Sequence, residues 1–286
     1  MSDFVTIFEM GPRDGLQNEK NFVPTEDKIR LVDMLSDCGF RKIEVTSFVS
    51  PKWVPQMADA GEVMEGIHRH PGVFYTALTP NVKGYTAARN VSVDEVAIFG
   101  AASEGFSKKN INCSVAESIE RFKPLIEKAH EDGLPVRGYI SCVTDCPYDG
   151  PTPPEKVASV AKLLHELGCY EISLGDTIGA GTPETIARML DAVLAEVPAD
   201  RLAGHYHDTK GRALENIEVS LEKGLRTFDS AIGGLGGCPY APGAKGNVAT
   251  EAVADLMVQK GFETGLDMAK LAEVSVFARS LRSDSE

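Results

Sequence analysis

The stretch Pro154-Glu-Lys-Val157-Ala-Ser-Val160-Ala161-Lys-Leu163-Leu164-His-Glu-Leu167-Gly168-Cys-Tyr170-Glu-Ile-Ser173-Leu174-Gly-Asp176-Thr177 holds one complete helix-to-strand unit. Val157, Val160, Ala161, Leu163 and Leu164 recur three and four apart, the spacing that lines one face of a helix over Pro154–Leu167. Gly168 follows as a C-cap, where a left-handed residue ends a helix without a Cβ clash. Tyr170–Leu174 then reads as a short buried strand, and polar residues gather where it ends.

The same pattern repeats in both directions. Strands are expected at Val5–Glu9, Lys42–Thr46, Val73–Leu78, Glu95–Phe99, Val136–Ser141, Leu202–His207 and Thr227–Ser230. Helical spacing fills the intervals, as in Thr25–Cys38 and Pro183–Glu196, and Gly39, Gly133 and Gly224 repeat the cap. Eight strands alternating with helices over about 250 residues is the arithmetic of a (β/α)8 TIM barrel. A doubly wound sheet is the alternative. Its dinucleotide fingerprint should follow the first strand, where Gly11-Pro-Arg-Asp-Gly15 stands instead, and no Walker A sequence occurs. With no linker or low-complexity segment, residues 1–286 read as a single α/β barrel domain. Thr250–Gln259 and Asp267–Leu281 read as additional C-terminal helices.

A net charge of −13 argues against nucleic acid and anionic membrane as partners, since both select basic patches. No apolar run approaches the roughly 20 residues of a membrane span. The N-terminus enters a strand at once, with neither a basic region before an apolar core nor an Arg-rich lead, so a cytoplasmic protein is expected. Six scattered cysteines fit reduced thiols, and Cys142-x3-Cys146 lacks the second pair that a metal site would need.

Barrel chemistry sits where strands end, and polar residues cluster at those ends. Strand one ends in Arg13-Asp14-Gly15-Leu16-Gln17, strand two carries Glu44 and ends at Thr46-Ser47, and strand six ends at Ser173, Asp176 and Thr177. Strand seven ends in His205-Tyr-His207-Asp208. Side chains two apart on a strand share a face, so His205 and His207 can share a cation; two ordinary strand-end histidines are the plain alternative. Asp14 adds a carboxylate on the same rim and Asn247 a carbonyl oxygen, a set that suits Mg2+ or Mn2+ better than tetrahedral Zn2+. Arg13 at a barrel mouth suits an anion that forms during reaction, or else a structural pair with Glu44 or Asp176. Asp176 and Asp208 are candidates to orient ligands from behind, Asp208 alternatively capping the next helix. Strand eight runs into Gly233-Gly-Leu-Gly-Gly-Cys238-Pro-Tyr-Ala-Pro-Gly-Ala-Lys-Gly-Asn247, where six of the residues from 233 to 246 are glycine. This composition reads as a mobile or tightly turning loop, not a strand, carrying a thiol at Cys238 that can donate a proton.

Gly11-Pro-Arg-Asp-Gly-Leu-Gln-Asn-Glu19, Ile43-Glu-Val-Thr-Ser-Phe48, His205-Tyr-His-Asp-Thr209 and Gly233–Glu251 together resemble the hydroxymethylglutaryl-CoA lyase family, over nearly the whole chain. That family belongs to the barrel metalloenzymes that make or break carbon–carbon bonds, and the glycine loop marks its lyase branch. The resemblance implies cleavage of 3-hydroxy-3-methylglutaryl-CoA to acetyl-CoA and acetoacetate, in leucine catabolism, with Mg2+ or Mn2+. It implies Asp14, His205, His207 and Asn247 at the metal. Arg13, Cys238, His205 and Glu44 are the implied catalytic groups, and Arg13, Gln17, Ser47, Ser173 and Thr177 the substrate contacts. An acyl-CoA substrate and a homodimer are the expected partners. The neighbouring readings are a lyase for a longer 3-hydroxy-3-alkylglutaryl-CoA and a condensing enzyme of the 2-isopropylmalate or homocitrate synthase type. A catalytically silent barrel is the rival from outside enzymology.

Overall fold

A computed structural model describes residues 4–19, 21–238 and 241–282; for 238 and 241–244 it describes the backbone alone. Eight parallel strands close into a barrel: β1 Thr6–Glu9, β2 Lys42–Ser47, β3 Phe74–Leu78, β4 Glu95–Ala101, β5 Val136–Ser141, β6 Glu171–Asp176, β7 Leu202–Tyr206 and β8 Thr227–Ser230. Closure comes from β8 pairing with β1, Thr6 against Thr227 through Glu9 against Ser230. The chain is therefore a (β/α)8 TIM barrel, with every expected strand within two residues of its place. β7 stops one residue early because His207 leaves the ladder to form an isolated bridge with Asn247.

Helices α1 Thr25–Ser36, α2 Ala60–Gly66, α3 Val82–Asn90, α4 Glu104–Ile111, α5 Val115–Glu131, α6 Pro154–Glu166, α7 Pro183–Leu194 and α8 Ala213–Glu222 surround the strands, followed by α9 Thr250–Lys260 and α10 Met268–Ser280. The 3.6-residue spacing in α6 buries Val157, Val160, Ala161 and Leu164 against the barrel wall, while Leu163 stays exposed. α10 starts one residue later than expected because Asp267 is its cap, accepting from the Ala269 and Lys270 amides. Two cores result. A large one lies between strands and helices, and a small one inside the barrel contains Phe8, Met10, Leu78, Ala97 and Tyr139.

The glycine loop departs from expectation. Gly237–Cys238 pairs antiparallel with Ala241–Lys245, so the segment is a short hairpin, not an open loop. Its glycines serve close approach: a Cβ on Gly246 would lie 2.9 Å from the Gly237 carbonyl carbon. Gly236, at φ 97°, passes where a Cβ would meet Asn247 and the backbone of Asp14.

The turn after β1 is held from below. Gly11–Gly15 forms one turn of π-helix, with the Gly15 amide donating to the Met10 carbonyl at 3.1 Å. The fully buried Glu9 carboxylate accepts from the amides of Gly11 (2.7 Å) and Ile232 (2.8 Å) and from the Thr250 hydroxyl (2.6 Å). One side chain thus ties the loop after β1 to the loop after β8, and burial pushes its pKa up to about 7. A carboxyl raised in the folded state stabilises fully below its unfolded value and loses that contribution as pH rises through the folded one. Wild-type stability should therefore fall between about pH 4.5 and 7 by on the order of 3 kcal/mol from this group. Glu9→Gln should flatten that fall; urea midpoints of both proteins across the window check it, and equal slopes would contradict it.

Candidate active site

At the C-terminal end of the barrel a cavity of about 320 Å³ opens among the βα loops. Arg13 and Asp14 reach it from the π-turn and Gln17 from just beyond, Ser173 from within β6 and Thr177 from the residue after it. His205 and His207 reach it from β7, and Gly237 from the hairpin. The period-2 geometry of a strand places both imidazoles on this side, with ring centroids 5.5 Å apart. Asp14, His205 and His207 offer one ligand atom each, all within 4.8 Å of one another.

Asn247 joins them through the backbone. The Asp208 amide donates to the Gly246 carbonyl at 2.6 Å, and the Val248 amide to the Tyr206 carbonyl at 3.4 Å, stitching the end of the hairpin onto the end of β7. The Asn247 amide then donates to Asp14 Oδ2 at 2.8 Å. Asp14 Oδ1 accepts from Arg13 Nη1 and Gln17 Nε2, each at 2.6 Å.

Arg13 is 5% exposed, which a lone guanidinium does not tolerate. Its Nε donates to Glu44 Oε2 at 2.5 Å, and Tyr139 donates its hydroxyl to Glu44 Oε1 at 3.1 Å. Glu44 is fully buried behind Arg13 and is not among the residues that line the cavity, the position of an anchor for Arg13. Burial disfavours the Arg13 charge, yet Glu44 and Asp14 hold its pKa above the ordinary value. Burial alone would raise Asp14, but Arg13, His205 and His207 outweigh it and hold the carboxyl at about 2. His207 is lowered to about 4 by burial and by the neighbouring His205, so it is a neutral imidazole at pH 7.

Asp176 and Asp208, the two candidate ligand orienters, each have partners among the described residues. Asp176 accepts from the Thr144 hydroxyl and the Ala180 and Gly181 amides, shaping the loop after β6. Asp208 accepts from the Ala213 amide at the start of α8, the capping alternative, and from Lys245. Ser47 is buried and borders a neighbouring cavity of about 300 Å³ instead of this one. The Cys238 side chain lies outside the described residues; Gly237 beside it lines the cavity.

The carboxylate that meets His205 is Asp229, which was not anticipated. Arg137 and Tyr139 were also missed. The signal that marked Glu44, a charge inside a strand, marks Arg137 on β5 and Asp229 on β8 equally well.

The arrangement fits a divalent cation. The donor set is a low-pKa carboxylate, a neutral imidazole, a second imidazole and an amide, as hard and borderline cations require. His207 Nδ1 is buried without a hydrogen-bond partner among the described residues and borders the cavity, which leaves that atom free to take a ligand.

The HMGL-like family model matches residues 4–277. A 3-hydroxy-3-isohexenylglutaryl-CoA/hydroxymethylglutaryl-CoA lyase of Pseudomonas aeruginosa is 58% identical over 269 residues, spanning 94% of this chain and 90% of its own. The crystal structure of the HMG-CoA lyase from Brucella melitensis superimposes with a TM-score of 0.97 at 64% identity, covering 98% of this chain and 99% of that one. An HMG-CoA lyase from Acinetobacter baumannii, solved with coenzyme A and 3-methylmalate, superimposes at 0.93 with 36% identity, covering 100% and 94%.

His207→Ala should raise the Mn2+ dissociation constant by more than about 100-fold, beyond the 10–100-fold of an outer partner. Titration followed by electron paramagnetic resonance checks it, and an unchanged constant would remove His207 from the ligand set.

Proposed function

The chain belongs to the HMGL-like family, and we propose that its barrel mouth cleaves 3-hydroxy-3-methylglutaryl-CoA to acetyl-CoA and acetoacetate. It is a carbon–carbon lyase whose chemistry is a retro-aldol (reverse Claisen-type) cleavage. The observation that carries the reading is that a buried arginine and a three-residue metal group converge on one cavity.

Asp14, His205, His207 and Asn247 would hold the cation, Mg2+ or Mn2+. Bound there, the cation supplies Lewis-acid stabilisation for the C3 oxygen of the substrate as its proton leaves. His205 is the candidate group to take that proton; its one free lone pair, on Nε2, serves either the cation or the proton at any one time. The C2–C3 bond breaks, C3 becomes the ketone of acetoacetate, and the two-carbon unit departs as the enolate of acetyl-CoA. Arg13, fixed by Glu44, faces the developing enolate oxygen with a charge that needs no reorganisation when the bond breaks. Gln17, Ser173 and Thr177 orient the substrate from the cavity wall, and Ser47 is assigned to a part of the substrate that reaches the neighbouring cavity. Cys238, on the hairpin over the mouth, returns a proton to the enolate carbon.

A lyase for longer 3-hydroxy-3-alkylglutaryl-CoA substrates is the second reading. The neighbouring cavity favours it, because it shares Val49 with the first and is walled by Phe48, Met57, Ala58 and Ala60. Relative kcat/KM on methyl and isohexenyl substrates separates the two. A cytoplasmic homodimer serving leucine catabolism completes the proposal. The described cysteines are free and buried, as a reducing compartment allows, and no described helix is long and apolar enough to cross a membrane.

Incubation with 3-hydroxy-3-methylglutaryl-CoA and Mg2+ should give acetoacetate and acetyl-CoA in equal amounts and nothing in EDTA. Absence of both products with metal present would refute the reading. Arg13→Gln should cost on the order of 3–6 kcal/mol of transition-state stabilisation, read as kcat. A loss under about tenfold would remove Arg13 from its role.

A further inference from the structure

We propose that Asp229 is a positioning residue: its carboxylate fixes His205 as the Nδ1–H tautomer and so turns the Nε2 lone pair toward Asp14 and the metal group. This inference rests on the metal site proposed above.

The pairing of β7 with β8 sets Asp229 directly beside His205 in register. Asp229 is 2% exposed, and four donors converge on it. Arg137 Nη2 donates to Oδ1 at 2.8 Å. Arg137 Nη1 (3.0 Å), the Ser173 hydroxyl (2.7 Å) and His205 Nδ1 (3.1 Å) all meet Oδ2. An ionised carboxylate only accepts, so the fourth contact requires the proton of His205 on Nδ1. A neutral imidazole then has one lone pair left, on Nε2, and that atom lies 3.8 Å from Asp14 Oδ2.

Arg137 makes this arrangement possible. A carboxylate buried this deeply would otherwise take up a proton, and as an acid it would offer His205 one acceptor fewer. The fully buried guanidinium grips both oxygens, and its remaining Nε is satisfied by Glu171 at 2.7 Å. Asparagine cannot reproduce the site. Its NH2 group must either oppose Arg137 Nη2 or face His205 Nδ1, and the second choice forces the imidazole to the Nε2–H tautomer. That tautomer has no lone pair to offer the mouth of the barrel.

Nitrogen-15 NMR of histidine-labelled wild type without metal, with His205 assigned by loss of its signals in His205→Asn, should show a protonated Nδ1 and a bare Nε2. An Nε2–H tautomer overturns the proposal without recourse to any Asp229 variant. Asp229→Asn, shown to be folded by circular dichroism, should raise the Mn2+ dissociation constant by roughly 10–100-fold, the usual loss when an outer partner is removed. An unchanged constant in a folded variant overturns the role of Asp229 while leaving the lyase reading intact. A wild type that binds no Mn2+ overturns both.

Discussion

The ion pair between Arg137 and Asp229 inside the barrel is the constraint on which the site depends. Both groups are buried, and moving either out of water is costly unless the partner and the remaining hydrogen bonds are in place. Arg137 reaches from β5 to Asp229 on β8 and to Glu171 on β6, and it donates to the Tyr139 hydroxyl. Tyr139 donates its own hydroxyl to Glu44, and Glu44 accepts from Arg13 as well. His205 sits at the other end, on Asp229. One connected set of charges therefore fixes both the arginine and the histidine that face the cavity. Moving one member would leave a buried charge without its partner, and that penalty keeps the geometry narrow.

A second device works from the loops. Glu9 holds the turn that carries Arg13 and Asp14 against the loop after β8, and the bridge between His207 and Asn247 ties the far end of the hairpin to β7. The four candidate ligands come from three separate segments, and each segment is fixed by backbone hydrogen bonds before any ligand arrives. Preorganisation of this kind spares the reaction the cost of assembling its charges.

The barrel was legible in the sequence because alternation and glycine caps are local signals, and the Pro154–Thr177 unit contains both. Arg13, Asp14, His205 and His207 were legible because strand ends are where a barrel does chemistry. The hairpin in the glycine segment was not, since its pairing depends on a close backbone approach between Gly237 and Gly246 that composition does not encode. Asp229 and Arg137 were overlooked although each is a charge within a strand. What they do follows from barrel closure, which brings β5, β6, β7 and β8 around one point, and no local pattern states which charges will meet there. The partners of Asp176 and Asp208, the Gly181 and Ala213 amides among them, were not legible for the same reason: proximity in sequence to the site does not fix where a carboxylate points.

The most direct test is anomalous diffraction from crystals grown with Mn2+. A single peak in contact with Asp14, His205 and His207, with Arg13 facing the same cavity, is the predicted result. A protein saturated with Mn2+ whose peak lies elsewhere, or one in which His205 coordinates through Nδ1, would contradict a catalytic mouth organised by the Arg137–Asp229 pair.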